Sequence, residues 1–179
     1  MSLEAWRRSL TPAFEEEDRW GENRLLGRIY LTDRAPPEAL VSSVRAVVFR
    51  GAKVVVVSHT QGAAHVVPGG RVEPGETQAA ALRREVLEEC GWSFTAPRQV
   101  AVLHFHHLTP KPPGHDRPYP DFLQPVFAVE AQAFDRRAIK RAGEIETGSR
   151  MTPIRRAREL LEPNQRILLE AALAQRDRD

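Results

Sequence analysis

HVVPGGRVEPGETQAAALRREVLEECGW, residues 65–92, is the strongest structural signal in this chain. A short apolar strand, His65 to Val67, runs into a loop rich in glycine and proline, and a helix is predicted over Gln78 to Cys90. Thr77 is suited to cap the helix N-terminus, and Gly91 is suited to end the helix in a left-handed conformation. The stretch therefore predicts a strand, a tight loop and a helix in succession.

The predicted helix carries three carboxylates close together. At about 100° per residue, Glu85, Glu88 and Glu89 fall within an arc of about 100°. They lie beside an apolar stripe that we predict to face the core, formed by Ala79, Leu82, Val86 and Cys90. Like charges at these spacings repel by a few tenths of a kcal/mol. A hard divalent cation such as Mg²⁺ reverses that penalty because it prefers clustered oxygen ligands; for the helix alone, a solvated acidic face is the alternative.

The loop ahead of the helix, residues 67–76, adds a second feature. Its glycines allow positive φ and let the backbone approach a ligand closely. The helix N-terminus behind it offers free N–H groups and the positive end of the helix dipole, and both suit phosphate. By itself the loop could be a simple connection. Combined with three helix carboxylates, it indicates a metal–phosphate site.

The spacing of these residues resembles the Nudix box, G-x5-E-x7-R-E-U-x-E-E-x-G-U, in which U is a bulky apolar residue. The matching positions are Gly70, Glu76, Arg84, Glu85, Val86, Glu88, Glu89, Gly91 and Trp92. At average residue usage, chance agreement at a given start is on the order of one in a billion. The chain is therefore identified as a member of the Nudix hydrolase family. The surrounding order of strands and helices extends the resemblance over residues 41–174.

The resemblance implies an α/β (α+β) fold, an α/β/α sandwich with a mixed β-sheet. Residues 41–179 are expected to form the Nudix hydrolase domain, and residues 1–40 an N-terminal extension packed on it. The implied activity is hydrolysis of a diphosphate bond in a nucleoside diphosphate linked to another moiety, X. The implied cofactor is Mg²⁺, with Mn²⁺ as a substitute. The expected partner is thus a small-molecule nucleoside diphosphate derivative; the identity of X and of the base stays open, as does a homodimer.

The resemblance also implies roles for residues of the box. Glu88 and Glu89 are similar to the main metal ligands of the family. Glu85 resembles a residue that binds metal or activates water, a role that varies between members. The carbonyl of Gly69 is similar to a backbone metal ligand, and Arg84 is expected to orient the carboxylates by ion pairing. The expected catalytic set is therefore Glu85, Arg84, Glu88 and Glu89.

A further acidic metal ligand is expected beyond the box, as in many relatives. Residues 150–154 resemble the strand-to-helix segment that commonly follows the loop carrying it, and Glu146 lies shortly before them. Glu144 is the alternative in the same loop, and Glu130 in an apolar strand is a third candidate. An exposed glutamate without a metal role is the competing interpretation. The number of metal ions and the identity of the general base stay open.

Three histidines and a proline-rich loop outside the box are further candidates for function. Alternation along a strand puts His104 and His106 on one face and His107 on the other. Because no cysteine or aspartate stands nearby at zinc-ligand spacing, cleft lining or edge exposure is favoured over a zinc site. The loop, residues 109–121, is expected to select the substrate, since such irregular segments often carry binding function. A surface excursion or a dimer contact is the alternative for the loop.

Composition excludes several other function classes. Lys and Arg total 26 against 24 Asp and Glu, and a net charge of +2 gives no strong field for nucleic acid. No apolar run approaches the roughly 18 residues of a membrane span. The single cysteine, Cys90, fits a reducing compartment and predicts a cytoplasmic protein. Isomerisation of a prenyl diphosphate, which is known in proteins of this fold, would need an active-site cysteine. The place of Cys90 on the predicted core stripe disfavours that activity. A non-catalytic, nucleotide-sensing regulator with a Nudix fold is the alternative, but such modules usually lose box carboxylates, and all are present here.

Overall fold

The computed structural model describes residues 1–59, 64–140 and 146–178, without the side chains of residues 59, 146 and 147. The described strands are β1 Phe14–Trp20, β2 Asn23–Leu31, β3 Ser43–Arg50, β4 Lys53–His59, β5 Ala64–His65, β6 Gly69–Arg71, β7 Trp92–His107, β8 Asp121–Phe134 and β9 Glu146–Pro153. The described helices are α1 Leu3–Arg7, α2 Gln78–Cys90, α3 Ile154–Leu160 and α4 Pro163–Arg176.

All these strands belong to one sheet with the order β1-β2-β7-β8-β3-β4-β5, in which β6 also pairs with β3 and β9 with β4. Strands β3 and β8 run parallel, with Arg45 opposite Val126 and Phe49 opposite Glu130. The other strand pairs are antiparallel. The prediction of a mixed sheet is therefore confirmed.

The two long helices cover opposite faces of the sheet. On β3, Val44, Ala46 and Val48 pack in the cluster that contains the apolar residues of α2. The residues between and beyond them, Val47 and Phe49, pack in the cluster that contains α4. Because successive side chains of a strand point to opposite faces, α2 and α4 lie on opposite sides. The α/β/α layering follows from the alternation of apolar residues along the central strands.

Helix α2 begins and ends as the sequence predicts. The hydroxyl of Thr77 accepts a hydrogen bond from the N–H of Ala80 at 3.2 Å, and Gly91 ends the helix with φ of 73°. Leu82, Val86 and Cys90 are buried as expected, but Ala79 is exposed and Ala81 takes its place. Ala79 lies in the first turn beside the loop, where the helix does not yet meet the sheet. Glu85, Glu88 and Glu89 lie beside the buried stripe, as predicted, and are partly exposed.

The N-terminal region contains a strand, β1, although its acidic sequence disfavours one. Residues 15–18 are all acidic, a composition that disfavours a strand, yet they lie in β1 at the edge of the sheet. Two cross-strand ion pairs offset the repulsion: Arg24 bonds Glu17 at 2.7 Å, and Arg28 bonds Glu15 at 2.5 Å. Pairing with β2 therefore overrides the local preference.

Strand β7 is continuous although Ala96 has a positive φ of 44°, because its irregular pairing with β8 absorbs the interruption. Pro163 is the first residue of α4, a position that its fixed φ favours. Among the described residues, no helix combines the length and the apolar character that a membrane crossing requires.

Candidate active site

Two glycines of the box loop bring backbone and carboxylate into direct contact. Gly69 has φ of +143°, and a Cβ there would overlap the carbonyl oxygen of Val44. Gly70 faces α2, and a Cβ there would overlap the carboxylate of Glu85. Both positions therefore require glycine, the first for its conformation and contact with β3, the second for the space that Glu85 occupies. The contact with Glu85 explains why the first position of the box, Gly70, is a glycine.

Arg84 joins the loop to the helix. Its guanidinium donates to both carboxylate oxygens of Glu76, at 3.0 and 2.8 Å, and to the carbonyl of Arg71 at 2.9 Å. The Nη1 atom donates to Oε1 of Glu85 at 2.7 Å. The hydrogen bonds from Arg84 lower the pKa of Glu76. In turn, the hydrogen bonds to Glu76 and Glu85 raise the pKa of Arg84 above its ordinary value. Arg84 thus forms the expected ion pair with Glu85, and its role in orienting the carboxylates stays a prediction.

Glu89 contacts the loop through its side chain. The N–H of Gly69 donates to Oε2 of Glu89 at 2.7 Å, and the hydroxyl of Ser149 donates to the Glu89 carbonyl at 3.1 Å. The carbonyl of Gly69, a predicted metal ligand, accepts a hydrogen bond from Nη1 of Arg45 at 2.7 Å. Arg45 also donates from Nε to the side-chain oxygen of Gln124 at 3.2 Å. Gly69 and Glu89 are therefore neighbours, and their role as metal ligands stays a prediction.

Glu88 lies at the outer side of the same face. Its Oε1 atom forms an ion pair with Nζ of Lys140 at 2.5 Å, while Oε2 lies 3.9 Å from Nη1 of Arg84. The backbone N–H of Lys140 donates to the Glu88 carbonyl at 2.8 Å. The segment after β8 therefore returns to the end of α2 and partly neutralises its charge.

The donor set of this site suits a hard divalent cation. Glu85, Glu88 and Glu89 supply carboxylate oxygens and Gly69 supplies a carbonyl, the ligand types that Mg²⁺ prefers. In the part of the chain that the structure describes, no three acidic, histidine or cysteine side chains are close enough to enclose a metal ion. Each of the three carboxylates is instead bonded to a protein group: Arg84, Lys140 or the N–H of Gly69. The residues fit the cation in chemistry, and to enclose it the carboxylates must move closer together than they lie in the described part of the chain.

The candidates beyond the box have different outcomes. The backbone of Glu146 lies opposite His59 in β9, but the side chain of Glu146 falls outside the described residues, as does all of Glu144. Glu130 forms an ion pair with Nε of Arg176 in α4 at 2.5 Å. Because α4 and α2 cover opposite faces, Glu130 is not brought to the box carboxylates. A role for Glu146 stays a prediction.

Two of the three histidines of β7 have an acidic partner in β8 that the sequence did not predict. Asp121 reaches both histidines of one face: Oδ1 lies 2.7 Å from Nε2 of His104 and 2.8 Å from Nδ1 of His106. Asp121 is distant along the chain, but the pairing of β7 with β8 places it opposite His106. His107 points to the other face, as predicted, and packs against the ring of Phe122. Burial lowers the pKa of His104 although Asp121 opposes the shift.

A cavity of about 510 Å³ lies between the box loop and the proline-rich loop that connects β7 to β8. The residues that matter for its chemistry are Arg71, Glu73, Glu85, Asp116, Arg117 and Pro118. The tip of the proline-rich loop therefore faces Glu85. This placement supports a role in substrate choice, which stays a prediction.

Two residues of this region were missed as site residues. Arg45 is a single charged residue inside the apolar strand Val44–Phe49, and an isolated charge in such a strand is a signal that could have been used. Lys140 carries no local sequence signal for a role in the site. Its pairing with Glu88 spans 52 positions, a separation that no local pattern reveals.

The NUDIX domain family model matches residues 39–171. The match covers the box, the cavity and all of the sheet except β1 and β2. No curated protein matches the chain in sequence.

Solved structures of Nudix proteins share the fold. A Bacillus subtilis pyrophosphohydrolase is similar with a TM-score of 0.58 and 17% identity, over 90% of this chain and 97% of that one. A NUDIX hydrolase from Nitrosomonas europaea has a TM-score of 0.56 and 24% identity, over 75% and 90% of the two chains. A MutT NUDIX hydrolase from Burkholderia pseudomallei has a TM-score of 0.52 and 17% identity, over 72% and 95%.

Proposed function

We propose, from the premise that this chain belongs to the Nudix family and is a hydrolase of pyrophosphate bonds, that its substrate is a nucleoside diphosphate linked to another moiety, X. The reaction is Mg²⁺-dependent hydrolysis of the diphosphate bond. The observation that supports this proposal most is the close approach of the Glu85 carboxylate to Gly70. It places the oxygen donors on two turns of α2 directly beside the loop that we propose to bind phosphate. A helix with a merely solvated acidic face has no need for this glycine.

Each box residue has a separate task in the proposed reaction. Mg²⁺, when bound, neutralises charge on phosphoryl oxygens and lowers the pKa of water. Glu88, Glu89 and the carbonyl of Gly69 hold the cation. Glu85, whose Oε1 is held by Arg84, accepts the proton of the attacking water at Oε2. The water oxygen bonds to phosphorus as the bridging P–O bond breaks, and two products leave, each with a terminal phosphate at the cleaved position.

Three finer statements belong to the same proposal. Glu146 serves as a further ligand from the loop before β9. The protein works in the cytoplasm, in keeping with a single cysteine, Cys90, whose side chain is buried. Mn²⁺ replaces Mg²⁺ in the reaction, and a homodimer stays a prediction.

A substrate panel tests the proposal. Nucleoside diphosphate sugars, dinucleoside polyphosphates and oxidised nucleoside triphosphates are incubated with Mg²⁺ or Mn²⁺, and phosphate-containing products are separated by chromatography. We expect at least one compound to be hydrolysed, and EDTA to abolish the reaction. Undiminished hydrolysis in EDTA would contradict the metal requirement, and no hydrolysis of any compound would contradict the substrate class.

A further inference from the structure

Arg45 holds a positive charge against the carbonyl group that we expect to bind the metal ion. Its neighbours in β3, Val44 and Ala46, are completely buried, and Arg45 itself is partly buried. A charge in such a strand costs free energy unless it is paired and hydrogen-bonded. The residue opposite Arg45 in β6 is Gly69, and Nη1 of Arg45 donates to the Gly69 carbonyl at 2.7 Å. The sheet therefore keeps this charge directly beside the box loop.

The surrounding contacts fix the direction of the Arg45 side chain. Its Nε atom donates to Oε1 of Gln124 at 3.2 Å, and Gln124 is buried in β8. Gly69 is equally constrained, because a Cβ there would lie 2.1 Å from the carbonyl oxygen of Val44. The N–H of Gly69 donates to Glu89 at 2.7 Å. One residue of the loop is thus held by a cationic donor at its carbonyl and by an anionic acceptor at its N–H.

Arg45 and a cation at the Gly69 carbonyl would lie close together. Mg²⁺ binds oxygen ligands at about 2.0–2.1 Å. Because Nη1 of Arg45 lies 2.7 Å from the same oxygen, the two charges would be at most about 5 Å apart. At about 4–6 Å, a neighbouring charge changes the binding constant of a proton by about ten- to a thousandfold. A divalent cation experiences a repulsion at least as strong, so Arg45 opposes its binding to the protein alone.

A diphosphate group removes this repulsion. The planar guanidinium of an arginine matches two oxygens of a phosphate, and a divalent cation neutralises phosphoryl oxygens as well. With a diphosphate between them, Arg45 and the cation therefore bind the same anion instead of competing for one carbonyl. By linkage, a diphosphate that strengthens cation binding is itself bound more tightly when the cation is present.

We infer that Arg45 competes with the cation for the Gly69 carbonyl and turns to the diphosphate of the substrate when both are bound. The inference rests on the proposed function for the role of Gly69 as a metal ligand. Arg45 thereby makes cation binding depend on the substrate. The cation alone binds weakly, and the cation and the diphosphate bind together.

Two binding measurements test the inference without any hydrolysis. Mn²⁺ is titrated into the full chain, and the electron paramagnetic resonance signal of free Mn²⁺ is recorded. Arg45→Gln removes the charge and should bind Mn²⁺ about tenfold or more tightly than the wild type. Arg45→Lys keeps the charge and should stay within about threefold of the wild type.

Methylenediphosphonate, whose P–C–P bridge resists hydrolysis, is then titrated by calorimetry in excess Mn²⁺. Arg45→Gln should bind it about ten- to a hundredfold more weakly than the wild type, the range for lost hydrogen bonds to charged groups. One substitution thus has opposite effects on the two ligands, a result that general damage to the fold does not produce. Arg45→Met is a second neutral variant with the same expectations, and melting in EDTA verifies that each variant is folded.

Arg50→Gln is the matched control, because it removes the same charge at the far end of β3, about 17 Å along the strand. Arg50 is exposed and lies over the ring of Trp92 at 4.7 Å. It should bind both ligands like the wild type.

Unchanged or weaker Mn²⁺ binding in the neutral Arg45 variants would overturn the inference, as would equal tightening in Arg50→Gln or no Mn²⁺ binding by any of the proteins. If EDTA abolishes hydrolysis while the Arg45 variants keep wild-type Mn²⁺ affinity, the inference fails and the proposed function stands. Opposite shifts for the two ligands, in a protein that hydrolyses none of the panel, would support the role of Arg45 and reject the proposed substrate class.

Discussion

Gly70 and Glu85 occupy each other's space, and this makes the glycine testable. A methyl group at Gly70 would overlap the Glu85 carboxylate. Gly70→Ala should therefore displace Glu85, destabilise the fold by about 1–3 kcal/mol as overpacking does, and lower kcat at least tenfold. Unfolding in urea and steady-state kinetics measure the two effects. In a Glu85→Ala background the same change should cost little, because the clash is gone.

Gly51→Ala supplies the control for that experiment. Gly51 also has positive φ, of 56°, but a Cβ there meets nothing within 4 Å. It should lose about 1–2 kcal/mol through backbone conformation alone and keep full activity. If Gly70→Ala behaves the same way in both backgrounds, the contact with Glu85 has no functional meaning.

His104 makes stability depend on pH. Its pKa in the folded protein is lowered from the ordinary value of 6.5, chiefly by burial, so the unfolded chain takes up the proton first. Stability should therefore be full above pH 6.5 and fall as the pH drops below it toward the folded pKa. His107 acts with the same sign, since its pKa is also lowered by burial. Thermal melts between pH 8 and pH 5 measure the trend.

The matched variant for this prediction is His104→Gln, whose amide can still donate to Asp121. It should show a flatter dependence between pH 6.5 and pH 5 than the wild type. An identical slope in the two proteins would assign the dependence to other groups.

At the residue scale, local spacing predicted some contacts and missed others. Thr77, Gly91 and Cys90 act within one helix, and their roles follow from position alone. The partners of Glu88 and His104 are 52 and 17 residues away. Such contacts depend on which strands pair, information that a single sequence does not contain.

At the scale of elements, the proline-rich loop between β7 and β8 is the predicted determinant of substrate choice. Its tip, with Asp116, Arg117 and Pro118, lines the cavity that contains Glu85. Replacing residues 111–118 with a short Gly/Ser linker should change the ranking of kcat/KM across the substrate panel. Metal dependence should persist, because α2 is unaltered. Lys111→Ala, an exposed change on the same loop outside that lining, should leave the ranking intact.

An unchanged ranking after loop replacement would show that X is selected elsewhere. Arg117→Ala narrows the result if the ranking does shift. Loss of preference for the most anionic substrates would assign the effect to its charge, and an intact preference would assign it to the shape of the loop.

Elements with strong periodicity were predictable, and those held by pairing were not. Helix α2 and strands β3 and β4 have the composition and turn residues that their structures require. Strand β1 does not, because residues 15–18 would repel one another without Arg24 and Arg28 on the neighbouring strand.

At the scale of the whole molecule, we propose that the N-terminal extension, residues 1–40, is an integral layer of the domain. Trp6 is completely buried, with its ring edge against Tyr30 at 5.5 Å. Trp6→Ala should lower the free energy of unfolding by about 3–5 kcal/mol, the cost of emptying such a site. Denaturant unfolding measures it. A loss below about 1 kcal/mol would show that the extension is only loosely attached, and Trp20→Ala gives a partly exposed tryptophan for comparison.

The central claim is that the box carboxylates hold a cation for hydrolysis of a diphosphate bond. Glu89→Gln keeps an oxygen that can accept from the N–H of Gly69, removes one charge, and should not lower the stability of the metal-free protein because repulsion decreases.

The most direct measurement is phosphorus NMR of the best panel substrate with Mg²⁺, for wild type and Glu89→Gln. The account predicts two products from the wild type, each with a new terminal phosphate at the cleaved bond, no products in EDTA, and a kcat at least about a hundredfold lower for the variant. Wild-type kcat in Glu89→Gln, or the same products at the same rate in EDTA, would contradict it.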